Sequence, residues 1–229
     1  MKSSKEDMRP YLEPTRFIDS DSREVIAFAQ HTTRGVPSDT EKAVALYYRV
    51  RDDIRYDPYH IDFSPEALRA STVLRRKSGF CVEKAIVLAA SARAVGIPGR
   101  LGFAIVRNHL TTERLRQRMK TDVFVFHGFT ELFLEGRWVK ATPVFNLSLC
   151  QRFGVPPLEF DGRRDSIFHP FDRHGHKYME YLYDYGRFAD LPYELMVHEF
   201  RKHYPQFFAE GVALEGDFEA DASRASLEP

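Results

Sequence analysis

Residues 81–96, CVEKAIVLAASARAVG, constrain the fold more than any other stretch of the chain. At helical periodicity Val82, Ala85, Ile86, Leu88, Ala89, Ala92 and Val95 surround most of the circumference with small or apolar side chains. Gly96-Ile97-Pro98 then stops the helix. Such a helix has no broad face to give to water, so the rest of the chain must cover it on several sides.

Covering elements can be read on both flanks. A helix over residues 22–31 places Val25, Ile26 and Ala29 on one face, and another runs from Ser38 to about Asp52 behind the S-x-x-E capping box of Ser38 and Glu41. A short helix is expected in SPEALRA, with Ser64 as N-cap and Pro65 at its first position. After Pro98 the signal changes to the β runs RLGFAIV, DVFVFHGFTELFL and RWVKAT, the last two joined by a two-residue turn at Glu135-Gly136. TTERLRQRMKT is a charged insertion, a surface helix or a loop; loops follow Asn146, and a final helix starts near Asp190. The fold class is α+β, with N-terminal helices and the Cys81 helix packed on an antiparallel sheet.

A length of 229 residues suits one domain, placed at residues 1–210 with N- and C-terminal extensions, followed by a flexible acidic tail over residues 211–229. Thirty-three basic residues balance thirty-three acidic ones, which removes the broad attraction that nucleic acid or an anionic membrane requires. The first residues carry no apolar run of signal-peptide type and no segment approaches a membrane span, so a cytoplasmic protein is expected. Two cysteines make no disulfide framework.

Each cysteine therefore needs its own reading. Cys150 follows apolar residues and reads as a packed thiol. Cys81 would read the same way but for its position. At a helix N-terminus, free backbone N–H groups and the helix dipole favour a thiolate, and Arg75, Arg76 and Lys77 precede it, so a lowered thiol pKa is expected. Gly79 would let a substrate backbone approach, and the Cys81 N–H is a candidate oxyanion donor. His127, at the end of the apolar DVFVF run, is the candidate base; the alternative is a core imidazole bonded to backbone. With a two-residue turn, Leu134 opposes Arg137 and Phe129 opposes Thr142, so Thr142 lies diagonal to His127 on the same face. That is the place for a group that orients the imidazole.

These residues, in this order, resemble the transglutaminase-like superfamily, with its papain-like core. SGFCVEKAIVLAASARAVGIPGR is similar to that family's nucleophile helix and G-I-P-x-R ending, and HGFTELFLEGRWVKATP to its histidine strand and G-x-W-V hairpin. The resemblance covers about residues 64–143, more weakly the helix before IRYDPY. It implies Cys81 as nucleophile, His127 as general base and acid, and a thioester path to hydrolysis or acyl transfer on a peptide, protein or small amide substrate, with no cofactor or metal. The third catalytic position is Thr142 where the family usually has Asp, and a hydroxyl supplies no charge to an imidazolium. Asn146, or a distant Asp161 or Asp165, is the alternative orienting group. A binding module without catalysis is the rival reading.

Gly79, Phe80, Gly128, Glu131 and Asn146 are the expected substrate-binding residues. Glu83 is expected to bond Arg100 or another base. Tyr56 and the YMEYLYDYGRF stretch suit either a peptide groove or core packing. HPFDRHGH, with His169, Asp172, His174 and His176, fits no common zinc spacing and reads as a polar loop.

Overall fold

The computed structural model describes residues 7–109, 111–168, 179–208 and 215–225. In chain order the elements are α1 (Arg23–Thr32), α2 (Asp39–Asp53), β1 (Arg55–Tyr56), α3 (Ala70–Arg76), β2 (Ser78–Gly79), α4 (Cys81–Ala94), β3 (Gly99–Asn108), α5 (Glu113–Met119), β4 (Val123–Leu134), β5 (Arg137–Ala141), α6 (Leu147–Phe153), β6 (Met179–Phe188), α7 (Tyr193–His203) and α8 (Phe218–Ala225). The sheet order is β5-β4-β3-β6, every neighbouring pair antiparallel. The α+β class and the packing of the Cys81 helix on the sheet are as expected.

Helix α4 is enclosed as its composition requires, with every residue from Val82 to Arg93 buried. Helices α1, α2 and α3 cover one side and the sheet covers the other. Paired residues share a face, so Gly99, Leu101 and Phe103 of β3 lie beside Leu132, Thr130 and Gly128 of β4. This is the face that meets α4: Thr130 Oγ1 donates to the Ala85 carbonyl at 2.8 Å, and Gly128 lies against Val82. The long polar side chains of α4 reach partners outside the helix, whereas Ser91 Oγ has none among the described residues. Lys84 donates to the Arg51 carbonyl at 2.9 Å and to that of Ile54, which ties α4 to the end of α2. Burial pulls its ammonium down to about 7.

Local rules held where the determinants are local. Ser22 caps α1, and Ser38 and Glu41 form the reciprocal capping box of α2. Glu135 and Gly136, at φ 50 and 84, make the tight turn, and Leu134 pairs with Arg137 as expected.

Four expectations change. SPEALRA is a turn, with Ala67 N–H on the Ser64 carbonyl, and the helix begins only at Ala70. The reason lies upstream: Phe17 and Asp19 take the N–H groups of Ala70 and Ser71, so the first turn is capped there by tertiary contacts. Residues 147–153 form a helix where loops were expected, and Met179–Phe188 supply the edge strand β6. The acidic tail is not free: Phe218 is buried among Tyr56, Tyr59 and Phe153, and Asp217 and Asp221 pair with Arg55 and Arg114. The described part of the tail thus belongs to the domain.

Candidate active site

Cys81 is the first residue of α4, so its backbone N–H is one of the unpaired donors of a helix start. The thiol is partly exposed. The N–H groups of Gly128, Val82 and Cys81 itself act on the sulfur, but burial outweighs them and, with the Glu83 charge, pushes the thiol up to about 11. The expected lowering is therefore corrected. The basic run before the helix is spent elsewhere: Arg76 holds Glu83 at 2.6 Å and Arg75 holds Glu24 at 2.7 Å.

Glu83 takes Arg76, in place of Arg100, as the basic partner expected of it, and it folds back over the helix start to accept the Phe80 N–H at 3.0 Å. Its burial raises its own carboxyl to about 7 against the pull of Arg76. Gly79 then has a different reason to be glycine. A Cβ there would stand 2.8 Å from the Glu83 carboxylate, so the site expected to admit substrate is filled by a helix cap.

Strand β4 presents the histidine. Between Phe124 and His127 it carries two residues, Val125 and Phe126, opposite the single Ile105 of β3, which is a β-bulge with Phe126 at φ 59. Phe126 then stacks on Phe103 at 4.5 Å. His127 follows, paired with Ala104 and buried, its ring flanked by Phe168 at 6.1 Å and Tyr181 at 6.4 Å. Its Nε2 has no hydrogen-bond partner among the described residues. Burial pulls the imidazole down to about 4, so at neutral pH thiol and imidazole are both uncharged. The two are not hydrogen-bonded; Gly128 links them, packed on the Cys81–Val82 backbone and next to His127 in the chain.

The orienting position is equally bare. β5 ends at Ala141, opposite Thr130, and the register continues to place Thr142 beside Phe129. Thr142 is buried, and its Oγ1 has no partner among the described residues. The alternatives are engaged elsewhere: Asn146 accepts the Tyr56 N–H at 3.0 Å and donates to Ser148 at 2.7 Å. Asp161 binds Arg163 and Arg164, and Asp165 accepts the Lys140 N–H.

Of the expected substrate-binding residues, Phe80 lines a cavity with Cys81. Glu131 is buried between Arg100 at 2.8 Å and Arg187 at 2.5 Å, an ion-paired strut of the sheet in place of a cleft wall. Gly128 is a packing contact and Asn146 ties α6 to β1. The cavity brings in residues that sequence reasoning missed: Leu115 and Met119 of α5, Phe200 of α7, and Tyr204 and Phe207 beyond its end. Leu115 and Met119 at i,i+4 were the available signal for α5. HPFDRHGH lies outside the described residues, and among those described no group of three or more His, Cys, Asp or Glu is placed for a metal ion. Among them, too, no helix is long and apolar enough to cross a membrane.

The sequence model of the transglutaminase-like superfamily matches residues 26–143, from α1 to just past β5. The chain belongs to this superfamily. The match takes in α2, where a weaker resemblance was expected, reaches further back into α1, and spans Cys81, His127 and Thr142. The superfamily segment therefore ends before α6, β6, α7 and α8. No curated protein matches the chain. Two solved structures are similar to it: one described as a candidate cysteine protease from Cytophaga hutchinsonii, at 19% identity and TM-score 0.48, over 61% of this chain and 43% of that one. The other is described as a candidate protease from Parabacteroides distasonis, at 19% identity and TM-score 0.38, over 56% of this chain and 26% of that one. The similarity thus spans less than half the length of either neighbour.

Proposed function

We propose that this transglutaminase-like chain is a thiol enzyme acting on amide or peptide bonds, with Cys81 as nucleophile and His127 as proton carrier. The observation that carries the reading is the juxtaposition at Gly128: the backbone of Cys81 and Val82 at a helix start packs against the strand residue that follows a buried imidazole whose Nε2 has no partner among the described residues. A neutral imidazole at His127 would take the thiol proton as the sulfur attacks. The Sγ–C bond forms, the carbonyl oxygen takes negative charge near the helix-start N–H of Cys81, and the amide C–N bond breaks as the imidazolium returns the proton to the leaving amine. Water then cleaves the thioester to a carboxylic acid and regenerates the thiol; an amine in its place would complete acyl transfer. Thr142 stands at the orienting position without a charge. The unpaired cysteines suit a reducing compartment such as the cytoplasm, and a peptide, protein or small amide is the substrate class.

A second reading has its own support. Thr142 in place of a carboxylate, with both reacting groups uncharged, favours a module that holds a peptide without cleaving it. An electrophilic amide-mimicking probe separates the two readings. Adduct formation at Cys81, lost in Cys81→Ala and slowed in His127→Ala, supports the enzyme. An inert Cys81 with peptide binding preserved in Cys81→Ala supports the module.

A further inference from the structure

Cys81 opens on one side into a small cavity of about 40 Å³. Its walls come from five places: Tyr56 and the residues just after it, Phe80 before α4, Leu115 and Met119 on α5, Phe124 and Val125 at the bulge, and Phe200 on α7 with Tyr204 just beyond it. None of the lining residues is charged. The Tyr204 hydroxyl is already used, donating to the Val123 carbonyl at 2.6 Å and accepting the Val125 N–H at 2.8 Å, so it offers a substrate nothing. At most the Tyr56 hydroxyl remains.

We infer that this cavity receives the side chain next to the reacting carbonyl, and that the enzyme selects acyl groups bearing a small branched aliphatic side chain such as that of valine or leucine. The inference rests on Cys81 being the nucleophile. Its side of the scissile bond follows from the histidine: Cys81 lines the cavity and His127 does not. The leaving amine must depart where His127 can give it a proton, which leaves the cavity for the acyl part. Its size follows from the volume. A water-sized unit needs roughly 10–15 Å³ of such space, so the cavity holds about three non-hydrogen atoms. A phenylalanine ring is too large, glycine leaves the space empty, and a lysine or glutamate would bury a charge among walls that cannot pair it.

The test uses the whole chain and a set of N-acetyl-aminoacyl fluoromethyl ketones carrying Gly, Val, Leu, Phe, Lys or Glu. Each would form a thioether at Cys81 with loss of fluoride, followed by intact mass. The valyl and leucyl compounds should label at least about tenfold faster than the others, the scale of one or two methylenes in an apolar pocket. Met119→Ala should move the preference toward phenylalanine, and Leu115→Ala serves if that variant does not fold. Cys81 labelling with a flat order, or one led by lysine or glutamate, overturns the cavity assignment and leaves the nucleophile standing. Labelling by iodoacetamide but by none of the ketones also overturns it. Failure of both reagents overturns the cavity assignment and the nucleophile together.

Discussion

Gly128 of β4 rests directly on the first turn of α4: a Cβ at that position would stand 2.8 Å from Val82 Cα and 3.2 Å from the Cys81 carbonyl. Both obstacles are backbone, so neither can turn aside. Gly128→Ala is expected to push the strand off the helix at a cost of about 1–3 kcal/mol. Thermal unfolding should report it as a loss of several degrees. Gly79→Ala meets mainly the flexible end of Glu83 and should cost about 1 kcal/mol, mostly a lost cap.

The thiol is held up at about 11 by burial, so the fraction present as thiolate is small at neutral pH. The rate of Cys81 alkylation in the free protein should therefore keep rising with pH beyond 9. A plateau already reached by pH 7 would show a thiolate–imidazolium pair at rest and contradict the neutral one.

Thr142→Asp would restore a charge to the orienting position. A carboxylate near the imidazole should raise the His127 pKa by about 1–3 units, visible in an NMR titration of its ring protons. Alkylation at pH 7 should then speed up by about tenfold. An unmoved titration would show that the side chain at residue 142 does not address the imidazole.

His127 also links stability to acid. Its folded pKa of about 4 lies below the ordinary 6.5, so between those values the unfolded chain binds a proton that the folded one refuses. Above pH 6.5 the imidazole is neutral in both states and exacts no penalty. As pH falls through the window, about 3 kcal/mol of stability should be lost. Urea titrations of the wild type and His127→Phe at pH 7 and pH 4.5 check this: the substitution should flatten the acid slope.

Phe218 anchors α8 against Tyr56, Tyr59 and Phe153. Phe218→Ala should cost about 3 kcal/mol and expose the segment to limited proteolysis near the C-terminus. Unchanged melting and unchanged cleavage would mean that the helix is not docked in solution.

The sequence carries the α4 core and the β4–β5 hairpin openly because each depends on neighbours within a few positions: periodicity around the helix, and Glu135-Gly136 at the turn. Strand β6 was obscured because alternating Tyr181, Tyr183 and Tyr185 enclose exposed Leu182, which blurs the contrast between faces. Helix α8 was misread because its charges look solvated in the sequence, whereas Arg55, Arg114 and Arg152 meet them from distant segments. The resting thiol was misjudged first because its burial, which outweighs the helix start, arises from distant segments, and second because the basic run is paired off. Arg75 and Arg76 stand close in sequence, but their carboxylate partners Glu24 and Glu83 neutralise them. The bulge was beyond reach, since a phenylalanine gives no sign that it will adopt a left-handed conformation.

The bulge at Val125–Phe126 divides β4 into two lengths with separate duties. Phe124, ahead of it, and Val125, within it, line the cavity, while of the residues after it Gly128 lies on the α4 face and His127 on the opposite one. The extra residue takes up the mismatch between them, so the wall can be re-cut without re-aiming the imidazole. On the proposed function, substitutions at residues 124 and 125 would alter the selectivity of the cavity and leave the reacting pair in place.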